Sequence, residues 1–280
     1  MSQTACVYNF GEVFHCDNWN FKIPGSVFWR IYHVTDGSAK VRIYNKVQEL
    51  RPGYFYMIPA FVAHEDILKG SFCHRYLHFR LDDTYLSDMM DGYDLAFEIP
   101  ASSLLIEIFD RISVLCEGFE LETPLPQDYE NKSSYLFWSH RYDNLPIAVR
   151  MELGGYIKAV LSIFLQNSVM HKPASNPRVN KGKVFIDKKF GELITIEDVA
   201  CHVGMRPESF IRAFRHEYNR TPYSYLMEKR INRAKNLLLL STKSIKEITH
   251  DCGFRDQSHF CMVFKKATST TPGRFRCSIS

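Results

Sequence analysis

One sequence pattern occurs twice in the C-terminal third of this chain, and it restricts the possible folds of that region more than any other feature. The first copy contains Thr195, Gly204, Phe210, Phe214 and Thr221-Pro222, and the second contains Ser244, Gly253, Phe260, Phe264 and Thr271-Pro272. The offset is 49 residues at the start and 50 at the end, because one residue is inserted between Gly253 and Phe260. A repeat of this length indicates that one supersecondary unit is used twice.

Each copy begins with a predicted helix start. Thr195 with Asp198, and Ser244 with Glu247, match the capping box, in which two side chains satisfy the free amides of the first turn. A glycine then marks the end of a short helix. The phenylalanines four residues apart lie on one face of a second helix and anchor it. Helix, glycine turn and anchored second helix together predict a helix-turn-helix unit.

The face of each second helix opposite the phenylalanines is predicted to read DNA. It carries Glu208, Ile211 and Arg212 in the first copy and Gln257, Ser258 and Met262 in the second. In a major groove, arginine can bond guanine, glutamine can bond adenine, and isoleucine can cover a thymine methyl. Basic residues suited to phosphate oxygens are Arg215, Lys265, Lys266, Arg274 and Arg276. Arg206 and Arg255, close to the starts of the second helices, complete the predicted DNA-binding set.

Charge is distributed unevenly along the 280 residues. Residues 1–170 hold 14 Lys and Arg against 21 Asp and Glu, a net charge of −7, whereas residues 171–280 hold 21 against 10, a net charge of +11. A basic segment beside an acidic one is typical of a polyanion-binding module joined to a domain of another kind. A solvated basic face is the alternative for charge alone. Because basic residues follow both copies of the repeat, we favour DNA binding.

The second copy resembles a known protein family. It reads Gly253-Phe254, Asp256-Gln257-Ser258, Phe260, Phe264-Lys265-Lys266, Thr271-Pro272 and Phe275-Arg276. With this pattern, residues 184–280 resemble the AraC/XylS family of bacterial transcriptional regulators. The resemblance implies two helix-turn-helix units joined by a long helix, which Thr221 would cap and Pro222 begin. It also implies double-stranded DNA, RNA polymerase and a second copy of the chain as partners, with the recognition helices in successive major grooves roughly 34 Å apart.

Two departures from the family pattern concern the recognition helices. Arg206 stands where the family usually has a serine or threonine that caps the first recognition helix, and Met262 occupies a position often held by arginine. The two exposed faces therefore differ, and each chain is expected to read two different half-sites.

Residues 21–81 are predicted to form short strands. Val27 to Val34 and Lys40 to Tyr44 are rich in β-branched and aromatic residues, and Asp36-Gly37 between them predicts a hairpin. The run from Leu50 through a Pro-Gly turn to His64 resembles the small cupin-type β-barrel that senses effectors in many bacterial regulators. The predicted fold class is α+β, with a cupin-like antiparallel barrel and helices in residues 1–170 and an all-α domain in residues 184–280.

A candidate ligand site lies on the predicted barrel. The strand from Cys73 to Leu81 alternates, so every second side chain shares one face. If the face with His74 points inward, it would suit a polar or anionic small effector. The alternative places this face in solvent, with Leu77 and Phe79 in the core. The predicted ligand-binding set is Arg30, Tyr32, His64, His74, Tyr76, His78 and Arg80.

Helices and a linker complete the predicted organisation. Apolar residues recur at helical spacing in residues 101–116, and two prolines, Pro124 and Pro126, then mark a loop. A second helix from Pro146 to about Gln166 is the candidate self-association surface, although packing against its own barrel is an equal alternative. Residues 171–183 hold two prolines and no apolar periodicity, which predicts a linker.

Other classes of function have weaker support in the sequence. The chain has neither a His-x-His pair nor a C-x-x-C pair, so no metal or cofactor is expected. It shows no secretory signal and no 18-residue apolar run, so we expect a cytoplasmic protein without a membrane span. The predicted function is that of a sequence-specific DNA-binding regulator, an effector-responsive activator and not an enzyme. The alternatives are a metal-dependent cupin enzyme fused to a DNA-binding domain, and a regulator whose N-terminal domain only dimerises.

Overall fold

The computed structural model describes residues 5–23, 25–43, 46–81, 93–170, 176–268 and 270–277. The chain divides into two compact units, Met1–His171 and Lys172–Ser280. Among the described residues, no helix combines the length and the apolar character that crossing a lipid bilayer requires.

Antiparallel strands form most of the N-terminal unit. They are β1 (Ala5–Cys16), β2 (Lys22–Ile23), β3 (Trp29–Gly37), β4 (Ala39–Ile43), β5 (Lys46–Leu50), β6 (Tyr54–Ile58), β7 (His64–Ile67), β8 (Phe72–Leu81), β9 (Tyr93–Asp94), β10 (Glu98–Pro100) and β11 (Val169–Met170). One sheet has the order β1-β8-β3-β6-β10, another has the order β2-β7-β4-β5, and β9 pairs with β11.

The predicted hairpin at Asp36-Gly37 is wrong. Strand β3 pairs with β6 and β8, whereas β4 pairs with β5 and β7, so the chain passes from one sheet to the other at this point. Gly37 has φ +68°, and a Cβ there would lie 2.3 Å from the Ser71 carbonyl oxygen. The dipeptide thus makes a corner between sheets rather than a tight turn within one. Tyr44, the end of the second predicted strand, lies outside the described residues.

The two larger sheets enclose one apolar core. Tyr32 and Val34 of β3 and Tyr56 of β6 pack in the same cluster as Val41 of β4 and Leu50 of β5. The cupin-like barrel predicted from the sequence is confirmed. The inward-facing residues of β3 and β8 therefore line the interior between the sheets, where a ligand site of this fold would lie.

Helices cover the outside of the large sheet. They are α1 (Ser103–Leu115), α2 (Pro126–Tyr129), α3 (Lys132–Asp143) and α4 (Ile147–Gln166). The sequence predicted α1 and α4 but not α3, whose buried residues are Tyr135, Trp138 and Tyr142. Because these aromatic residues alternate with charged and polar ones, α3 lacks the aliphatic periodicity that marks α1 and α4. It packs against β1.

The C-terminal unit is entirely helical in its described residues. Its helices are α5 (Pro177–Lys189), α6 (Ile196–His202), α7 (Pro207–Tyr218), α8 (Pro222–Leu240), α9 (Ile245–Asp251), α10 (Gln257–Thr268) and α11 (Pro272–Cys277). Both predicted capping boxes are present. The Asp198 amide donates to Thr195 Oγ1 at 3.1 Å, and the Thr195 amide donates to Asp198 Oδ2 at 2.8 Å. Ser244 and Glu247 make the same two bonds at 3.2 Å and 2.7 Å.

Helix α5 differs from the sequence interpretation. Residues 177–183 of the predicted linker form its first turns, and residues 171–175 lie outside the described residues. Asn176 caps the helix and Pro177 occupies its first position, which is a standard helix start. Val179, Gly182 and Ile186 are buried at helical spacing. Two prolines and small polar residues predict a linker, but one of these prolines, Pro177, begins α5.

Gly182 allows α5 to approach α7 closely. A Cβ at this position would lie 2.5 Å from the Phe210 ring, which is fully buried. We expect Gly182→Val to lower the free energy of unfolding of the C-terminal unit by about 2–3 kcal/mol through overpacking. The matched control is Gly273→Val, because a Cβ there meets nothing within 4 Å. Urea titrations monitored by circular dichroism compare the two, and equal midpoints would contradict the close contact.

Candidate DNA-binding surface and barrel cavity

Helix α7 presents two different faces. Phe210 and Phe214 are fully buried on one side. The predicted DNA-reading residues Glu208, Ile211 and Arg212 are all exposed, as is Arg215 on the following turn. The spacing of the phenylalanines thus leaves a continuous outer face of polar, apolar and basic groups.

Helix α10 repeats this arrangement with other side chains. Phe260 and Phe264 are fully buried, whereas the predicted residues are exposed. These exposed residues are Arg255, Gln257, Ser258, Met262, Lys265 and Lys266. Met262 is 64% exposed, which is high for an apolar side chain and leaves it available to a partner surface.

The two helices begin differently. The His259 amide donates to Asp256 Oδ1 at 2.8 Å at the start of α10. Arg206 is the N-cap residue of α7, is exposed, and makes no side-chain capping bond. The extra residue of the second copy lies in this turn, since α7 begins three residues after Gly204 and α10 begins four residues after Gly253. The asymmetry expected for Arg206 from the sequence is therefore present, and it leaves its guanidinium directed to solvent.

Arg276 differs from the other predicted DNA-binding residues. It is half-buried, and its Nη2 donates to the Lys243 carbonyl at 2.6 Å. This bond links α11 to the segment before α9. Its guanidinium therefore has a structural contact that the exposed basic residues of α7 and α10 do not share.

A cavity of about 200 Å³ lies against the inner face of the large sheet, between strands β1, β3 and β8 and the segments 17–19 and 121–129. Its lining is largely aromatic, with imidazole and hydroxyl groups. The lining residues are Val13, His15, Cys16, Asp17, Asn18, Trp19, Tyr32, His74, Tyr76, His78, Leu121, Pro124 and Tyr129. The face that carries His74 on β8 thus points inward, as the ligand-site interpretation requires.

His78 lies deep in the cavity wall between two rings. Its ring centroid is 4.8 Å from that of Phe28 and 5.7 Å from that of Tyr129. Neither ring nitrogen of His78 has a hydrogen-bond partner among the described residues, and the same is true of Nδ1 of His74. Burial lowers the pKa of His74 to about 4 and holds that of His78 well below its usual range, with Arg30 adding to the effect on His78. Both imidazoles are neutral at pH 7 and offer unsatisfied donors and acceptors.

Three residues of the predicted ligand set do not line the cavity. Arg30 is fully buried and forms an ion pair with Glu130, which follows α2. Arg80 donates to the Tyr8 hydroxyl at 2.9 Å. His64 is buried, and its Nδ1 lies 3.1 Å from the Val62 carbonyl. The predicted set therefore separates into four cavity residues and three that contact other parts of the unit.

His64 and Asp66 form a buried polar pair beside Arg30. Their Nε2 and Oδ1 atoms are 3.7 Å apart. Burial raises the pKa of Asp66 to about 8, and burial together with Arg30 lowers the pKa of His64 to about 3. Both shifts favour the neutral forms of the two groups, which disfavours an ion pair between them. Among the described residues, no three His, Cys, Asp or Glu side chains lie close enough together to hold a metal ion.

Sequence reasoning missed the segment that covers one side of the cavity. Leu121 donates its amide to the Tyr76 hydroxyl at 2.8 Å, and Tyr129 stacks on His78. This segment follows α1, where the sequence predicts a loop. The prolines of this segment indicate only irregular structure. No local sequence pattern predicts that Glu130 pairs with Arg30, 100 residues earlier.

The buried histidines make the stability of the N-terminal unit dependent on pH. The pKa of His74 falls from 6.5 to about 4, so below pH 6.5 the unfolded chain binds a proton that the folded chain does not. His64 and His78 act in the same sense. Each such group removes up to about 1.4 kcal/mol of unfolding free energy per pH unit over this window. Asp66 acts oppositely, because its raised pKa stabilises the folded unit at low pH and this contribution is lost as the pH rises to about 8.

We therefore expect maximal stability of the N-terminal unit near pH 6.5, with a decline toward pH 4. Urea midpoints measured at half-unit steps of pH test this expectation. His74→Phe should reduce the acid slope by about one histidine's share of the linked protons. Constant midpoints between pH 7 and pH 5 would contradict the burial of neutral imidazoles.

The helical unit defines a class of protein. Two helix-turn-helix units share the long helix α8, and each presents an exposed face with basic residues on its second helix. This is the architecture of a DNA-binding domain with two recognition helices.

Comparison with known proteins agrees with this class. Residues 199–278 match the protein family described as "Helix-turn-helix domain". The xylose operon regulatory protein of Haemophilus influenzae is 32% identical over 116 residues, which cover 41% of this chain and 30% of that protein. The HTH-type transcriptional regulator ArgR of Pseudomonas aeruginosa is 30% identical over 99 residues, which cover 35% of this chain and 30% of that protein. The chain thus spans about 30% of the length of each of these curated relatives.

The matched region is an AraC-type DNA-binding domain, as the sequence resemblance predicted. The whole chain is also similar in fold to ToxT from Vibrio cholerae, with a TM-score of 0.50, 12% identity and coverage of 99% of both chains. This likeness concerns the fold and confirms an N-terminal β-rich unit followed by a helical unit.

Proposed function

We propose that this protein is a sequence-specific DNA-binding transcriptional regulator. The observation that supports the proposal most strongly is the pair of exposed, chemically different faces on two helices that the same buried phenylalanines anchor. Arg212, Ile211 and Glu208 of α7 would read one half-site, and Gln257, Ser258 and Met262 of α10 would read another. Arg206, Arg215, Arg255, Lys265 and Lys266 would contact phosphates and fix the register.

The test is a selection from random double-stranded DNA with the purified full chain, followed by sequencing. We expect one enriched element with two unlike half-sites. The affinity for that element should fall steeply with salt, by about 10³-fold or more between 50 and 200 mM if six or more phosphates are contacted. Absence of any enriched sequence would overturn the proposal, and a flat salt profile would contradict its electrostatic part.

A second function, effector sensing, is supported by the cavity. We propose that the barrel binds a small neutral aromatic compound. The charge of Arg30 is already balanced by Glu130, and the exposed Asp17 at the cavity would repel anions. The unpartnered nitrogens of His78 can donate one hydrogen bond and accept another in the neutral state. The proposed ligand is therefore uncharged, whereas the sequence analysis favoured a polar or anionic one.

Thermal shift with matched pairs of compounds tests the effector proposal. In each pair, an uncharged aromatic compound of the benzamide or phenol type is compared with the corresponding benzoate. The uncharged compound should raise the melting temperature, since a ligand of the folded state stabilises that state, whereas the benzoate should not. His78→Leu should abolish the shift. A larger shift with the benzoates would contradict an uncharged site.

We also propose RNA polymerase and a second copy of the chain as partners. A regulator of this kind would act in the cytoplasm on RNA polymerase bound beside it, as an activator, and would function as a homodimer. Helix α4 is the proposed contact between protomers, because Ile147 and Met151 are 69% and 66% exposed while the opposite face is buried. No observation favours the alternative of a cupin enzyme.

A further inference from the structure

We propose that Arg230 is the positioning residue that fixes the separation of recognition helices α7 and α10, and hence the half-site spacing that the protein accepts. The inference rests on the proposed DNA-binding function and concerns a residue that need not touch DNA. Contacts within the C-terminal unit support this inference. Arg230 lies in the middle of α8 and is 5% exposed.

The guanidinium of Arg230 holds the segment that leads into the first helix-turn-helix unit. Nε donates to the Phe190 carbonyl at 2.8 Å. Nη2 donates to the Glu192 carbonyl at 2.8 Å and to the Ile194 carbonyl at 3.2 Å. These three oxygens lie between α5 and α6, directly before the capping residue Thr195. The long helix is therefore bonded to the start of the first unit through one side chain.

The turn of the second unit reaches the same place. Gly253, with φ +75°, lies between α9 and α10, and a Cβ there would be 2.6 Å from the carbonyl oxygens of both Phe190 and Glu192. The same Cβ would be 3.0 Å from Arg230 Nε. The Arg230 guanidinium also lies 5.6 Å from the centre of the Phe254 ring. Arg230 thus contacts the first unit's loop and the second unit's turn together.

The contacts of Arg230 restrict the motion of the two helix-turn-helix units relative to each other. A planar guanidinium with several fixed donors matches three carbonyls only in one geometry, and lysine could not reproduce it. Displacement of α8 from the 190–194 segment would break at least one charge-assisted bond in a buried site. Displacement of the turn at Gly253 would separate the Phe254 ring from the Arg230 guanidinium. Each recognition helix would then still pack on α8, but the position of one helix relative to the other would no longer be fixed.

The separation of the helices determines how much two half-sites gain over one. When both modules engage one DNA molecule, the second event is intramolecular and affinity rises on the order of 10²–10⁴-fold, provided the geometry fits. Loss of the Arg230 contacts would widen the range of half-site spacings that the protein tolerates. It would also reduce the gain in affinity at the preferred spacing. Contacts made by each helix with its own half-site would persist.

The experiment uses the full chain and the DNA element selected with the wild-type protein. Five DNAs are compared: the element itself, the element with either half-site scrambled, and the element with one base pair added to or removed from its spacer. Arg230→Met keeps the apolar stem and removes the donors. Arg233→Met is the control, because the exposed Arg233 on the same helix also lies near Phe190, 5.8 Å from its ring, but has no hydrogen bond to these carbonyls among the described residues. Its loss changes the net charge equally.

We expect Arg230→Met to bind each single half-site within about twofold of the wild type and the intact element at least roughly tenfold more weakly. The wild-type preference for the selected spacer over its one-base-pair variants should nearly disappear. Arg233→Met should retain that preference. Gly253→Ala, which crowds the same carbonyls from the other side, should weaken spacer preference as Arg230→Met does.

Two outcomes would overturn the inference. One is an unchanged spacer preference in Arg230→Met, or in Arg230→Lys if the Met variant does not fold by circular dichroism. The other is an equal loss on single half-sites and on the intact element, which would mark a purely structural role. Failure of the wild type to prefer the selected element at all would instead overturn the proposed function.

Discussion

Glu130→Ala should lower the free energy of unfolding of the N-terminal unit by about 3–5 kcal/mol, because it leaves a buried charge without its partner. The Arg30 side chain is 1% exposed and the Glu130 side chain 11%, so the remaining guanidinium could not be rehydrated without opening the unit. Urea unfolding monitored by tryptophan fluorescence measures the loss, since Trp19 and Trp29 lie in this unit.

Two comparisons separate the buried charge from a general effect of losing a carboxylate. Glu98→Ala removes the exposed ion pair with Arg51, whose side chains are 42% and 51% exposed, and should cost less than about 1 kcal/mol. The double variant Arg30→Met with Glu130→Leu should recover most of the stability, because a hydrophobic replacement of a buried pair is often neutral. Equal losses for Glu130→Ala and Glu98→Ala would show that Arg30 does not depend on Glu130.

Arg212→Ala should weaken binding to the selected element by about 1–3 kcal/mol and relax the preference at a single base pair. Arg212 lies on the exposed face of α7 beside Ile211, where a guanidinium can reach two acceptors of one guanine. Affinities for the element and for its single-base-pair variants, measured by fluorescence anisotropy, determine both quantities.

Arg215→Ala is the matched comparison, because Arg215 is exposed one turn further along the same helix. As a phosphate contact, its loss should weaken binding to every sequence alike and reduce the salt slope by about one. If Arg212→Ala behaved in this uniform way, Arg212 would be a phosphate contact and base reading by α7 would lose its main support.

The sequence predicted the C-terminal unit in more detail than the N-terminal one, for physical reasons. Capping boxes, glycines with positive φ and phenylalanines four apart are local devices, and a repeat displays each of them twice. Even the capping difference at Arg206 could be read in this way. Helix α5 was missed because its buried face consists of Val179, Gly182 and Ile186, in which a glycine interrupts the apolar pattern.

The N-terminal unit depends on contacts that are distant in sequence. Alternation on β8 correctly placed His74, Tyr76 and His78 on one face, but it could not decide between cavity and solvent, because both faces of this strand are buried. Arg30 has the chemistry of an anion-binding residue, and its ion pair with Glu130, 100 residues further along the chain, is not apparent from the sequence. The sequence does not indicate a role for Arg230, because its partners are backbone carbonyls, which a pattern of side chains cannot reveal.

The most direct test of two-helix DNA reading is hydroxyl-radical footprinting of the full chain on one copy of its selected element. We expect two protected stretches of different sequence on one face of the duplex, about 10 base pairs apart, since each recognition helix would occupy its own major groove. A single protected stretch, or two stretches of the same sequence in inverted order, would contradict it.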